Sequence, residues 1–230
     1  MYNVLQTPIF GIVVSIVFYS IGVYIQKKTK LAVFNPLLLA ILGIILFLKL
    51  SHISYESYKI GGDTINFFLS PVTIVLAIPL YKQYDLLKKH LHEIIIGITT
   101  GVLVSFASIV VISRLTNSNK LIMDSLLGKS ITTPMGISLT STLGGIESVT
   151  IVAIILTGIV GAMIATPIFK FINTKHPASK GIALGTASHA LGTTKALELG
   201  EIEGAMSGLA IGISGTITVI LIPILINFLK

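Results

Sequence analysis

Cysteine and tryptophan are absent from the 230 residues, and only nine carboxylates accompany sixteen Lys and Arg side chains. Without cysteine there is no disulfide framework, thiol nucleophile or thiolate metal site. Without tryptophan, anchoring at a membrane–water boundary falls to the seven Tyr and to Lys. Charged residues make up 11 % of the chain and hydrophobic ones 53 %, whereas a soluble domain carries roughly 25 % charge. The formal net charge of +7 has no basic helix or aromatic-interleaved basic patch to present, so no nucleic-acid partner is expected. A Walker loop, an H-E-x-x-H helix and a dinucleotide fingerprint are missing too. Neither an enzyme nor a resident cofactor is expected. What is there is an integral membrane protein.

Charge-free stretches locate the crossings, because a helix needs roughly 20 apolar residues to traverse the hydrocarbon. Long spans are expected near residues 6–26, 31–50, 64–81, 94–113, 148–169 and 204–229. Two further stretches are too polar to insert alone. Ser130–Ile146 has six apolar residues of seventeen, with ten Ser, Thr or Gly; Gly181–Thr194 has six of fourteen, with seven. Their hydroxyls and exposed backbone need partners, which a bilayer supplies only inside protein or beside a watery cavity. The expected fold is therefore an all-α polytopic membrane protein, residues 1–230 forming a single integral membrane domain. It has about six long transmembrane helices plus two broken or re-entrant polar segments, 130–146 and 181–196.

Basic residues orient it. Lys27, Lys28 and Lys30 follow the first span and Lys82, Lys88 and Lys89 the third, while Ser51–Asp63 holds only Lys59. That alternation places the N-terminus outside and the Lys-rich loops in the cytoplasm. The first span, which lacks a basic leader and a small-residue cleavage site, is expected to be an uncleaved anchor. Lys170, Lys175 and Lys180 share the cytoplasmic side only if Ser130–Ile146 enters and returns. An internal repeat is suggested by laying Leu76–Phe106 on Leu191–Val219.

Several residues are candidates for chemistry. Lys129-Ser130-Ile131-Thr132-Thr133-Pro134 reads as a helix start, with Thr132 or Thr133 as cap and Pro134 in the first turn. Free N–H groups, hydroxyls and Lys129 there suit a carboxylate; the alternative is a polar linker with Lys129 reaching the interface. His189 lies in an otherwise uncharged stretch with Ser188 and Thr193 beside it. An ionisable group at membrane depth is a functional candidate, and one that carries a proton at ordinary pH suits coupling; a packed, neutral His is the alternative. Glu203 suits either a helix start or coupling. Asn35, before Pro36, either satisfies backbone groups freed by the proline or faces a cavity. His90, His92 and Glu93 belong to a solvated loop and not to a metal site, since residues two apart do not share a helix face.

The motifs themselves resemble a known family. They are Gly181–Ser207 (GIALGTASHALGTTKALELGEIEGAMS), Lys129–Pro134 (KSITTP), Leu143–Ile146 (LGGI), Asn35-Pro36, Tyr58–Asp63 (YKIGGD) and Ile78–Lys82 (IPLYK). Together they resemble the LrgB/CidB family, which is related to the plastid glycolate/glycerate transporter. The resemblance implies one of two functions in a bacterial cell membrane. One is transport of a small monocarboxylate such as pyruvate or glycolate; the other is antiholin-like or holin-like control of murein hydrolase activity and lysis. Either implies an LrgA/CidA-type membrane partner, and further copies of the chain are a second candidate partner beside the bilayer. A carboxylate carrier needs anion donors, a broken backbone and a coupling group. The sequence offers Asn35, Lys129, Ser130, Thr132, Thr133, Ser188, His189 and Thr193 for binding, with His189 and Glu203 for coupling.

Overall fold

The computed structural model describes residues 4–29, 34–68, 71, 81 and 84–228. Every regular element among them is helical, and the chain divides into two compact units, Met1–Val75 and Leu76–Lys230.

In the first unit, α1 (Pro8–Thr29) packs against α2 (Pro36–Leu50) and α3 (Tyr55–Phe67). Glycines allow the approach: a Cβ at Gly11 would strike the backbone of Tyr58 and Gly61, and one at Gly22 that of Pro36. Such small-residue contacts suit helices in lipid, where backbones must come close to gain dispersion energy. Ser15 and Tyr58 add a hydroxyl pair at 2.9 Å. Asn35 is the N-cap of α2, its Oδ1 accepting from the N–H groups of Leu37 (2.9 Å) and Leu38 (3.2 Å). Asn35-Pro36 therefore starts a helix. Ser51–Asp63, expected as a loop, is largely the helix α3, whose start is capped by Ser54. The sequence there carries charge and two glycines, so no apolar run announced it. The span expected at 64–81 lies mostly outside the described residues; apart from residues 71 and 81, only 64–68 are seen, and they end α3.

The second unit begins with the short α4 (Tyr84–Lys89) and continues through α5 (Leu91–Leu115), α6 (Lys120–Leu126), α7 (Thr133–Leu143), α8 (Glu147–Phe171), α9 (Pro177–Leu199) and α10 (Glu201–Asn227). Among the described residues, α1, α5, α8 and α10 are long and apolar enough to cross a membrane, with mean hydropathies of 2.1 to 2.5. Twenty-five residues reach about 37 Å at 1.5 Å each, more than the roughly 30 Å hydrocarbon core. The protein is thus an all-helical polytopic membrane protein with four such helices described and a shorter apolar α2, where six long ones were expected.

Two hairpins lie between the long helices. In α6–α7 the chain turns at residues 127–132. A Cβ on Gly128 would stand 3.1 Å from the Gly136 Cα, and Ile146 N–H donates to Ser125 Oγ at 2.7 Å, so the arms return together. Thr150 Oγ1 donates to the Ser125 carbonyl and pairs with Thr140 Oγ1, both at 2.7 Å, tying both arms to α8. Gly144, at φ 78°, ends α7 in the left-handed conformation that favours glycine.

The second hairpin is α9 itself. Its backbone breaks at His189 (φ 39°, ψ −127°). Gly192 packs on the Leu184 carbonyl and the Ser188 side chain, and Leu184 shares a core cluster with Ala196. A straight helix would separate Leu184 and Ala196 by about 18 Å, so the two arms of α9 run antiparallel. Gly181 and Gly185 then lay the first arm along α10, against the carbonyls of Glu203 and Ser207.

Candidate functional site

A cavity of about 1070 Å³ lies between α5, α8, α9 and the α6–α7 turn. His90 and Glu93 of the α5 start and His176 and Ser179 of the α9 start line one end. Lys129, Ser130, Ser105 and Ser188 line the other, and the walls between are mainly apolar. Pockets for small molecules have this character, apolar with a few placed polar groups.

The α6–α7 turn delivers Lys129 and Ser130. Lys129 Nζ donates to Ser130 Oγ at 3.2 Å, and Ser130 Oγ is 3.1 Å from Ser105 Oγ on α5. Among the described residues no carboxylate lies within ion-pair distance of Lys129; the two ion pairs there are His90–Glu93 at 3.9 Å and Lys195–Glu198 at 2.8 Å. A half-buried ammonium with only hydroxyl company is short of negative charge.

From the opposite side, α9 delivers Thr186 and Ser188. Both are buried, and Thr186 Oγ1 has no hydrogen-bond partner. Ser188 sits over Gly161 of α8, where any Cβ would fall on its hydroxyl. His189 forms the turn of the hairpin. The residue is 3 % exposed, and its ring rests against Gly158 and lies beside the backbone of Lys129 and Ile154. The Nε2 has no hydrogen-bond partner of ordinary geometry. The two turns therefore meet, one bringing Lys129 and Ser130 and the other Ser188 and His189.

The remaining predicted residues are placed differently. Thr132 is the N-cap of α7 but its hydroxyl caps nothing, and Pro134 follows Thr133 in the first turn. Neither Thr132 nor Thr133 lines the cavity. Thr193 Oγ1 donates to the His189 carbonyl at 3.1 Å and pairs with Ser207 Oγ at 2.8 Å, pinning the returning arm to α10. Glu203 is buried in the first turn of α10, its carboxylate beside Gly200. Asn35 belongs to the other unit, where it caps α2. His90 and Glu93, read as loop residues, stand at the start of α5 and line the cavity. Sequence reading missed Gly101, Ser105, Thr157 and Gly161. A signal existed: Gly101 and Ser105, like Thr157 and Gly161, place small residues four apart on one face of an apolar helix.

A family model described as "LrgB-like family" matches residues 15–228. The chain is 38 % identical over 225 residues to proteins named "Antiholin-like protein LrgB" from Bacillus mycoides (strain KBAB4), Bacillus cereus (strain B4264) and Bacillus anthracis (strain CDC 684 / NRRL 3495). Each alignment covers 97 % of this chain and 98 % of the relative. No solved structure matches.

Proposed function

The chain belongs to the LrgB-like family, and from that premise we propose that it carries small monocarboxylates such as pyruvate across the bacterial cell membrane, together with an LrgA/CidA-type partner. The observation behind this reading is Lys129: a half-buried ammonium lining a largely apolar cavity, flanked by hydroxyls and lacking a carboxylate partner among the described residues. A bound anion loses its water and must regain donors. Lys129, Ser130, Ser105 and Ser188 are donors gathered at one end of the cavity. Thr186 and His189 are buried polar groups with an unmet hydrogen bond close by. Thr132, Thr133 and Thr193 act behind this first layer by shaping the two turns. His189 carries the coupling proton, and Glu203, buried in the first turn of α10, is the second coupling group.

The relatives' name favours a second reading, in which the protein regulates murein hydrolase activity and lysis without moving a solute. That name speaks directly for regulation and not for transport, whereas the cavity and its cation speak for transport. Reconstitution into liposomes, alone and with the partner, separates the two. Saturable uptake of labelled pyruvate is expected of a carrier. Absence of uptake for every small carboxylate, with the lysis phenotype intact in cells, assigns the protein to regulation.

A further inference from the structure

We infer that residues 91–199 are an inverted internal duplication, and that it opens the cavity in turn to the two faces of the membrane. The two copies are α5 with the α6–α7 hairpin and α8 with the α9 hairpin. Leu91–Leu115 and Glu147–Phe171 are each 25 residues long, and both their ends lie 56 positions apart. The hairpins end at Leu143 and Leu199, again 56 apart.

The local chemistry repeats with the same offset. After α5 the N–H groups of Thr116, Asn117 and Ser118 donate to the carbonyls of Ile112, Arg114 and Ser113. After α8 those of Ile172, Asn173 and Thr174 donate to Ile168, Lys170 and Phe169. Asn117 and Asn173 share the left-handed conformation, at φ 49° and 53°. Both hairpins close on Leu-Gly-x-Ile-Glu, at Leu143–Glu147 and Leu199–Glu203, and Gly136 matches Gly192. One coincidence of this kind occurs by chance in apolar sequence; cap geometry, helix length and closing motif at one offset do not. The copies are inverted because the start of α5 and the start of α9, which follows the end of α8, share one end of the cavity.

The cavity divides along the same symmetry. Part of the end opposite the mouth and of the walls is built from matched pairs: Gly101 with Thr157, Val104 with Val160, Ser105 with Gly161, and Ser130 with Thr186, all of them lining. Lys129 and Ser188 line it without their counterparts Gly185 and Thr132. Its mouth is not paired. His90, Gly97, His176 and Ser179 line it, whereas their counterparts Ile146, Ala153, Lys120 and Met123 do not. The counterparts of Ala183 and Ala187 are Leu127 and Ile131, which are buried in a plug with Ile109, Leu139, Ile222 and Ile226. One mouth is open and its twin is filled. Because the two halves repeat one design, the exchanged arrangement, with the plug parted and the His90–His176 mouth closed, is built into the same chain. Inverted repeats serve alternating access in this way. The inference deepens the carrier reading and rests on it for its purpose, though its test does not need substrate.

The native chain has no cysteine, so single cysteines can be probed with a membrane-impermeant maleimide in vesicles of each orientation. Gly97→Cys, at a mouth position with open space beside it, should react from the mouth face alone. Thr157→Cys and Val160→Cys, from the matched pairs, should react from both faces. Adding Ser105→Cys with Ser130→Cys, whose parent hydroxyls are 3.1 Å apart, should on oxidation abolish far-face labelling of Val160→Cys, spare the mouth face and be reversed by reductant. Labelling of both paired-position cysteines from the mouth face only, with Gly97→Cys reactive, would overturn the exchange. Far-face labelling that survives the disulfide would overturn the part given to the α6–α7 hairpin. Two-faced labelling without pyruvate uptake would remove the carrier reading and leave the exchange standing.

Discussion

Lys129 is the residue on which charge and geometry converge. Lys129→Met keeps the stem and removes the charge, so packing should persist. Losing a charged hydrogen bond typically costs about 1.5–3 kcal/mol, or roughly ten- to a hundredfold in pyruvate affinity; unchanged affinity in a normally inserted Lys129→Met protein excludes the anion site. Gly161 offers a second test without touching a polar group. Gly161→Ala drives a methyl into the Ser188 hydroxyl and should weaken uptake while Gly212→Ala, in open space outside the cavity lining, leaves it intact. Equal uptake in the two would detach Ser188 from binding. Lys129, Ser188 and His189 were legible in the sequence because polar and ionisable groups in apolar stretches demand partners. Gly161 was not, because its constraint is a contact with a helix more than twenty positions away.

The two hairpins were legible as segments too rich in Ser, Thr and Gly to insert alone, and their depleted apolar content is what the fold turns into buried hydroxyl contacts. Their shape was not legible. The reversal at His189 leaves no proline or paired glycine at the turn, and a polar run of this kind reads equally as a kinked crossing helix. The helix α3 was lost for the opposite reason: its charges and glycines imitate a loop. Within the first hairpin the Ser125–Thr140–Thr150 group carries the joint to α8. Thr150 is fully buried and its hydroxyl contacts both Ser125 and Thr140, so Thr150→Val strands two buried partners. A loss of about 1–3 kcal/mol is expected, read as a lower unfolding temperature in detergent. Thr142→Val, removing only an exposed bond to the Ser138 carbonyl, should change little. If the two variants melt alike, the hydroxyl group is not what joins the hairpin to α8.

At the scale of the whole molecule, the returning hairpins decide where charge lies. If α6–α7 comes back to the face it left, α5 and α8 run in opposite directions. Lys170, Lys175 and Lys180 then share a face with Lys88 and the start of α5, while Arg114 and Lys120 lie on the other. Lysine is retained on the cytoplasmic side during insertion, so the Lys-rich face, which also carries the cavity mouth, is expected to be the cytoplasmic one. A crossing α6–α7 would instead split Lys88 from Lys175 and spread positive charge over both faces. Single cysteines distinguish the two. In right-side-out vesicles an impermeant reagent should modify Lys120→Cys and leave Lys88→Cys and Lys175→Cys untouched until the membrane is opened. Modification of Lys175→Cys from outside, with Lys88→Cys protected, would mean that α6–α7 crosses. The inverted duplication and the single-mouthed cavity would then fall together, because both require that hairpin to return.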